Sequence, residues 1–381
     1  MDLAQLLRFA VERKASDLHL KVGTPPVLRI DDRLVAMPDQ PRLSQDTIMA
    51  VASAILNPKQ LERFKERSEI DLAYSVPNLG RFRVNIFQQR GMVGIVLRVI
   101  PIRIQTIPEL NMPPVLEKLA LEPRGMILVT GTTGSGKSST LAAMIDHINA
   151  NRSGHVLTIE DPIEFLHRDK RCLINQREVG ADTASFSEAL RSALRQDPDV
   201  ILVGEMRDYE TISTALVAAE TGHLVLSTLH TLDATETVNR IISVFPPFQQ
   251  KQIRLQLAAV LKGVISQRLI PRADGKGRVP AVEVCVVTGT VRECIIDPDK
   301  TRTLADVIAA GVSQYGMQTF DQSLMGLYRK GLITYEEALH WCSNPDDFTL
   351  RVRGIESSAD TTWQAASPGD PPADIPGMTR F

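Results

Sequence analysis

The chain has 381 residues, of which 43% are hydrophobic and 23% charged. These fractions are typical of soluble globular proteins and exclude global disorder, collagen and coiled coils, and the length favours two or three domains. Lysines and arginines number 43 against 45 aspartates and glutamates, a net charge of −2, which argues against a protein that mainly coats nucleic acid. The chain has neither an apolar run of about 20 residues nor a signal-peptide pattern, so we expect it in the cytoplasm.

Residues 1–104 are predicted to form an α+β domain. Apolar residues among the first dozen recur at helical spacing, and short alternating segments typical of strands follow them. A polar, helix-favouring stretch covers 44–67 and precedes three strand candidates, EIDLAYSV, GRFRVNIFQQR and VGIVLRVI. Strands joined by short turns predict an antiparallel sheet with helices on one face.

The rest of the chain is predicted to hold a linker, a second domain and a tail. Several prolines interrupt residues 105–122, which we expect to be an interdomain linker and hinge. From 123 to 352 short apolar strands alternate with helices, which predicts a parallel sheet covered on both faces. Within this domain, residues 250–345 are predicted to be mostly helical, with a turn at 274–277. Residues 353–381 are rich in proline and polar residues and are predicted to be a disordered tail.

The strongest motif is a phosphate loop at the end of an apolar strand and the start of a helix. Glycines let the backbone amides of such a loop face phosphate oxygens, the lysine reaches the β- and γ-phosphates, and the hydroxyl that follows it can bind Mg²⁺. The alternative is a flexible Gly/Ser turn. The motif with the next residue comprises Gly131, Thr132, Thr133, Gly134, Ser135, Gly136, Lys137, Ser138 and Ser139.

Three further segments end or flank strands of the second domain. DVILVGE ends in Glu205, where phosphate-loop enzymes place an acid near the metal or the attacking water, although Gly204 stands where an aspartate is usual. TIEDPIEF supplies three carboxylates, and TGHLVLSTLH places one histidine before a strand and one after it. The alternatives are a buried strand with an incidental acid, a solvated acidic turn, and histidines with structural roles.

The order of these motifs resembles the secretion ATPase superfamily of type II secretion and type IV pili, and most closely its PilT/PilU retraction ATPases. The segments GTTGSGKSS, TIEDPIEF, LRQDPDVILVGEMRD and TGHLVLSTLHT carry the resemblance, which covers about residues 1–350. It implies an α/β, RecA-like phosphate-loop NTPase domain preceded by a smaller α+β, PAS-like domain. It also implies ATP and Mg²⁺ as cofactors.

The resemblance assigns a role to each motif residue. Glu164 is expected to polarise the attacking water, Glu205 to lie at the metal and γ-phosphate, and His230 with His223 to sense the γ-phosphate. Mg²⁺ is expected near four residues, partly through water: Ser138, Glu160, Asp161 and Glu205.

The resemblance also implies an assembly. In a homohexamer, the first domain of one subunit is expected to bring arginines to the nucleotide of its neighbour, and the candidates are Arg81, Arg83 and Arg98. Solvated positions on a strand face are the alternative for each of them. The expected partners are an inner-membrane platform protein at the cytoplasmic face and a paralogous retraction ATPase; no nucleic acid is expected.

Two sequence features differ from the PilT pattern, and three other functions are possible alternatives. The retraction motif Ala-Ile-Arg-Asn-Leu is replaced at 290–294 by TVREC, and QREVGADTASF and the stretch from GMQTF are closer to PilU. The chain is therefore expected to be a retraction motor or a PilU-like accessory motor. An assembly or secretion ATPase is the nearest rival, but no Cys-x-x-Cys pair of its zinc insert is present. A hexameric nucleic-acid translocase and a nucleotide-regulated scaffold are the other rivals.

Overall fold

A computed structural model describes residues 2–30, 33–37, 39–77, 79–100 and 103–354. The chain divides into two compact units. The first consists of Met1–Arg103 together with Pro162–His167, and the second of Ile104–Asp161 together with the residues from Arg168 onward. The predicted disordered tail, 353–381, lies outside the described residues except for its first two positions.

The first unit is built on one antiparallel sheet, as the sequence predicts. Its six strands follow the order β3-β2-β1-β6-β5-β4. Alternate strand residues such as Leu18, Val84 and Leu97 are buried in one apolar cluster with residues of the three helices. The elements are α1 (Leu3–Glu12), β1 (Asp17–Lys21), β2 (Val27–Ile30), β3 (Arg33–Ala36), α2 (Gln45–Ile55), α3 (Pro58–Arg67), β4 (Glu69–Val76), β5 (Gly80–Gln89) and β6 (Met92–Val99).

Side-chain caps begin all three helices of this unit. Asp2 and Ser44 accept hydrogen bonds from backbone amides in the first turns of α1 and α2. Asn57 and Gln60 form a reciprocal capping box at the start of α3. Each cap satisfies an amide that the helix itself leaves unpaired, which is worth about 1 kcal/mol. The stretch 44–67 therefore forms two helices with a break at the second cap.

The second unit contains a seven-stranded sheet in the order β13-β12-β7-β11-β10-β8-β9. All neighbouring strands are parallel except the β12–β13 pair. Its elements before the last hairpin are α4 (Val115–Ala120), β7 (Gly125–Thr130), α5 (Lys137–Asn151), β8 (Gly154–Glu160), β9 (Cys172–Glu178), α6 (Phe186–Ala193), β10 (Val200–Val203), α7 (Tyr209–Glu220), β11 (Leu224–Leu229), α8 (Ala234–Ser243) and α9 (Pro247–Val260). Those from it onward are β12 (Leu261–Pro271), β13 (Arg278–Val286), α10 (Gly289–Ile296), a 3₁₀ turn (Thr301–Thr303), α11 (Leu304–Ala310), α12 (Val312–Tyr315), α13 (Phe320–Arg329), α14 (Tyr335–Trp341) and α15 (Pro345–Val352).

Helices cover both faces of this sheet, which confirms the predicted layering. Met126 and Leu128 of β7 are buried with residues of α6–α9, whereas Ile127 and Val129 are buried with residues of α4 and α5. Successive strand residues therefore enter opposite cores, and the central strands are apolar throughout. No helix in the described part of the chain is both long and apolar enough to span a bilayer.

The structure corrects two predictions about this unit. The helices predicted within 250–345 are present, but β12 and β13 interrupt them with an antiparallel hairpin whose turn contains the predicted 274–277 segment. Residues 105–122, which the sequence predicts to be an interdomain linker, pack onto the second unit. Ile107, Leu116 and Leu119 are buried in the core beside β7, so this stretch is part of the second unit. The free energy gained by burying these apolar side chains outweighs the tendency of the nearby prolines to keep the stretch irregular and exposed.

Candidate functional site

The phosphate loop lies where the sequence predicts it, between the end of β7 and the start of α5. Gly131, Gly134 and Gly136 have φ values of 139°, 79° and 93°, a region in which a side chain is strained. The segment Gly131–Ser139 forms a loop that continues directly into the first turn of α5. Backbone amides at a helix start attract anions, so this loop has the geometry of a phosphate site.

Two features of the loop fit a phosphate-bearing ligand. A Cβ atom at Gly131 would lie 2.4 Å from the carbonyl oxygen of Gln267, so only glycine allows this close approach. The Ser135 hydroxyl is buried and has no hydrogen-bond partner among the described residues. Unsatisfied buried hydroxyls are rare, and a bound ligand is one way in which they are satisfied.

Lys137 is held over the loop. It is buried, and its Nζ donates hydrogen bonds to the carbonyl oxygens of Gly131 at 2.8 Å and Thr132 at 3.0 Å. These bonds fix the ammonium group at the mouth of the loop. A positive charge in that position is suited to binding phosphate oxygens.

Strands β8, β10, β11 and β7 end at the same edge of the sheet, because they are parallel and in register. Glu205 follows β10 at this edge, and its Oε2 lies 2.7 Å from Arg207 Nη2 and 3.7 Å from His230 Nε2. A cavity of about 390 Å³ lies beside these three residues. Two of the predicted site residues, Glu205 and His230, are therefore neighbours.

The local packing explains the unusual glycine before Glu205. A Cβ atom at Gly204 would lie 3.2 Å from the Ile159 carbonyl oxygen and 3.4 Å from the Glu160 Cα atom. The Gly204 carbonyl also accepts a 2.6 Å hydrogen bond from the Thr228 hydroxyl. A side chain at position 204 would push the end of β8 aside by a few tenths of an ångström.

His230 has a lowered pKa. Burial contributes most to the shift, and the positive charges of Lys137 and Arg207 contribute next, whereas Glu205 opposes them. The neutral imidazole is therefore favoured near pH 7. Its charged neighbours come from two other motifs, the phosphate loop with Lys137 and the segment after β10 with Glu205 and Arg207.

The acidic segment after β8 is divided between the two units. Glu160 ends the strand, where its Oε1 accepts hydrogen bonds from Thr158 Oγ1 at 2.6 Å and Gln176 Nε2 at 3.1 Å. Asp161 is exposed, and Glu164 belongs to the segment that groups with the first unit. The phosphate loop and Glu164 are thus carried by different units.

His223 does not lie at the phosphate-loop edge. It directly precedes β11, and its Nδ1 is 2.7 Å from the Pro198 carbonyl oxygen at the amino ends of the parallel strands. About 20 Å of strand separates this edge from the one that carries His230. The predicted sensing role of His223 is therefore wrong for the site described here, and its contacts are structural.

The three candidate arginines lie on the first unit. Arg81 and Arg83 are two residues apart on β5 and share a face, and Arg98 is opposite Arg83 on β6. Arg98 Nε donates a 2.8 Å hydrogen bond to the buried Asp17. Burial raises the pKa of Asp17, but hydrogen bonds from Arg98 and Ser16 outweigh it and leave the pKa below its usual value.

The described residues contain no group of three or more His, Cys, Asp or Glu side chains that could hold a metal ion alone. The four residues predicted to bind Mg²⁺ belong to two strand ends and one helix start: Glu160 and Asp161 at the end of β8, Glu205 after β10, and Ser138 at the start of α5.

Sequence reasoning missed three residues near the site. Arg207 pairs with Glu205, Gln267 contacts the loop from β12, and Glu283 of β13 is buried at the start of α8. Two of them belong to the hairpin that was predicted to be helical. Their hydrogen bonds span 132 and 49 residues, so no local pattern indicates them.

The comparisons with known proteins agree with this geometry. The family model described as "Type II/IV secretion system protein" matches residues 2–305. The type IV pilus retraction ATPase PilT of Pseudomonas aeruginosa is 49% identical over 348 residues, which are 91% of this chain and 100% of PilT. The type IV pilus ATPase PilU of the same organism is 43% identical over 361 residues, 94% of each chain.

A solved structure extends the likeness to the fold. The crystal structure of the pilus retraction motor PilT with bound ADP has a TM-score of 0.84 and 45% identity, and it covers 91% of this chain and 98% of its own. The family match covers more than half of the chain, and the PilT identity extends over the full length of that relative. This chain therefore belongs to the type II/IV secretion system protein family.

Proposed function

We propose that this protein is an ATPase that powers type IV pilus retraction. The observation that carries the proposal is the 49% identity to the retraction ATPase PilT over the whole of that relative. The site supports it, because Lys137 of the phosphate loop, Glu205 and His230 form one electrostatic group. The structural relative holds ADP, which supports a nucleotide as the ligand of this loop.

Each residue of the site has a chemical task in this proposal. Lys137 and the loop amides bind the phosphates, and Glu205 and His230 lie where the γ-phosphate end of the nucleotide is expected. Glu164 polarises the attacking water. Bound Mg²⁺ would neutralise developing charge on the phosphates, and Ser138, Glu160, Asp161 and Glu205 would hold it, partly through water.

The proposal includes an assembly. Six copies form a ring, with a RecA-like second unit and a PAS-like first unit in each copy. The first unit of one copy brings an arginine to the nucleotide of its neighbour, where charge spread over phosphoryl oxygens is stabilised. The ring docks on an inner-membrane platform protein at the cytoplasmic face.

A second candidate is an accessory motor that works beside another retraction ATPase. The 43% identity to PilU over 94% of both chains favours it. A further observation is the TVREC segment at 290–294, which keeps only the arginine of the retraction motif.

Deletion of the gene tests both candidates. If the chain is the principal retraction motor, the deletion strain should carry abundant surface pili and lose surface motility. The native gene should restore motility, and a Lys137→Ala gene should not, because that variant loses ATP binding. A Lys170→Ala gene is the matched control, since Lys170 is paired with Asp146 on the surface.

The other outcomes separate the remaining functions. Loss of pili would contradict retraction and indicate an assembly ATPase. Normal pili and motility would contradict the principal motor, and a motility defect that appears only in a strain lacking a second retraction ATPase would identify the accessory motor.

A further inference from the structure

A buried glutamine on β12 connects the phosphate loop to the helix that follows it. Gln267 is 1% exposed, and its side-chain amide is bonded at both ends. Its Nε2 donates to the Ser135 carbonyl oxygen at 2.7 Å, and its Oε1 accepts from the Thr140 hydroxyl at 2.9 Å. One side chain thus holds a loop residue and a residue one turn into α5.

The backbone packs closely around this amide. A Cβ atom at Gly136 would lie 3.0 Å from Gln267 Nε2, and one at Gly131 would lie 2.4 Å from the Gln267 carbonyl oxygen. The preceding residue, Ser266, is opposite Thr130 and accepts a 2.9 Å hydrogen bond from its hydroxyl. Two of the three loop glycines, Gly131 and Gly136, therefore lie against Gln267.

The hydrogen bond to Ser135 fixes the direction of an amide that phosphate needs. The carbonyl of Ser135 and the N–H of Gly136 belong to one planar trans peptide and point in opposite directions. Because Gln267 holds the carbonyl toward β12, the Gly136 N–H points away from β12. An amide aimed before the ligand arrives costs no reorganisation on binding.

We propose that Gln267 is a positioning residue that aims the phosphate loop and thereby sets nucleotide affinity. This inference rests on nucleotide binding in the proposed function, but it does not require hydrolysis or pilus retraction. Gln267 acts through Ser135 and Thr140. Its loss therefore weakens ground-state and transition-state binding alike, so KM rises while kcat changes little.

Replacement of Gln267 with methionine tests the inference, because methionine keeps the length of the side chain and removes both hydrogen bonds. The full-length Gln267→Met protein should bind ADP about ten-fold more weakly by titration calorimetry, since a buried carbonyl loses its partner. Amides of 131–140 should exchange hydrogen faster than in the native protein without nucleotide. The matched control is Gln318→Met, because Gln318 Nε2 also donates to a carbonyl at 2.7 Å, that of Val282.

A second pair of variants covers a Gln267→Met protein that does not fold. Thr140→Val keeps the shape of the side chain and removes the donor to Gln267, so ADP affinity should fall several-fold, whereas Thr140→Ser should keep it within about two-fold. Native ADP affinity in both Gln267→Met and Thr140→Val would overturn the inference. So would equal losses in Gln267→Met and Gln318→Met. If the native protein binds ADP but hydrolyses no ATP, the proposed function fails while this test still decides the role of Gln267.

Discussion

The charge state of His230 depends on charged residues from two other motifs. Burial lowers its pKa most, and Lys137 and Arg207 lower it further, while Glu205 raises it. Arg207 also lies 2.7 Å from Glu205 and offsets that carboxylate. Arg207 thus lowers the pKa of His230 in two ways, through its own positive charge and by offsetting Glu205, and so favours the neutral imidazole.

Replacement of Arg207 with alanine should therefore raise the pKa of His230. The change removes a nearby positive charge and leaves Glu205 free to stabilise the imidazolium. An NMR titration of the histidine ring protons measures the pKa, with a His230→Gln protein to assign the signal. Arg191→Ala is the control, since Arg191 pairs with Glu210 on the surface. An unchanged or lower pKa in Arg207→Ala would contradict the assigned electrostatics.

Glu164 gives a second prediction at the residue scale. If it polarises the attacking water, Glu164→Gln should bind ATP within a few-fold of the native affinity and lower kcat by roughly 10²–10⁴. Steady-state ATPase kinetics and nucleotide titration measure the two effects. Glu188→Gln, on an exposed turn of α6, should alter neither. Normal turnover in Glu164→Gln would remove this residue from the catalytic role.

Residues of the site differ in how far the sequence predicts them. The phosphate loop is contiguous, so its spacing and flanking elements were sufficient to place Lys137. The role predicted for His223 fails for a geometric reason: the sequence places one histidine before a strand and one after it, and a strand of six residues holds the two at opposite edges of the sheet. Gln267 reaches the loop from 132 residues away, and only the pairing of β12 with β7 brings it there.

At the scale of elements, the hairpin β12–β13 positions a buried acid at the start of α8. Glu283 is 6% exposed, and its Oε1 accepts a 2.8 Å hydrogen bond from the Ala234 amide. Burial raises its pKa to about 7, and the charge of Asp233 raises it as well, while the hydrogen bond from the Ala234 amide, Arg268 and Ser266 act in the opposite direction. The folded protein thus binds a proton that the unfolded chain releases near pH 4.5.

This shift predicts how stability depends on pH. The protonated Glu283 contributes stability that is fully present below pH 4.5 and is lost as the pH rises to about 7. Glu283→Gln has no such proton and keeps the acceptor for Ala234. It should therefore gain stability relative to the native protein between pH 5 and 8, by at most about 3 kcal/mol.

Urea denaturation at pH 5, 6, 7 and 8 measures this difference. The exposed Glu293→Gln, on α10, is the control and should follow the native curve. If the difference between the urea midpoints of Glu283→Gln and the native protein stays constant across this range, Glu283 has an ordinary pKa in the folded protein.

The sequence predicts some helices and strands accurately and misses others. β4 and the first helix were placed closely, because alternation and helical spacing agree with the turns around them. The β12–β13 hairpin was missed, since its first strand directly follows the last residue of α9 and no turn residue marks the boundary. The prolines of 105–122 suggested a linker, but the apolar residues between them fill the core beside β7.

At the scale of the whole molecule, the first unit presents a row of charged residues across its sheet. Arg29, Asp17, Arg98 and Arg83 face one another on β2, β1, β6 and β5. The residues next to them along each strand are buried in the apolar core of the first unit. Arg98 and Arg83 are both exposed, but Arg98 is paired with Asp17, so Arg83 is the stronger candidate for a role outside its own unit.

The proposed ring predicts that Arg83 acts on the nucleotide of a neighbouring copy. Arg83→Ala should then lower kcat by about 10³ or more, the effect of removing an arginine finger. Lys137→Ala should also be inactive, because its own loop cannot bind nucleotide. In rings that contain both variants, however, an intact loop can face an intact arginine.

Co-expression of the two inactive variants tests this directly. Random mixing in equal amounts gives an active pairing at about a quarter of the interfaces, so ATPase activity should return to about that share of the native rate if interfaces act independently. A mixture of Lys137→Ala with Arg63→Ala, an exposed residue of α3, should show only the activity of its Arg63→Ala subunits. Full activity of Arg83→Ala alone would exclude the arginine from catalysis. An inactive mixture would place its action within one chain, because a single chain of either variant lacks one of the two groups.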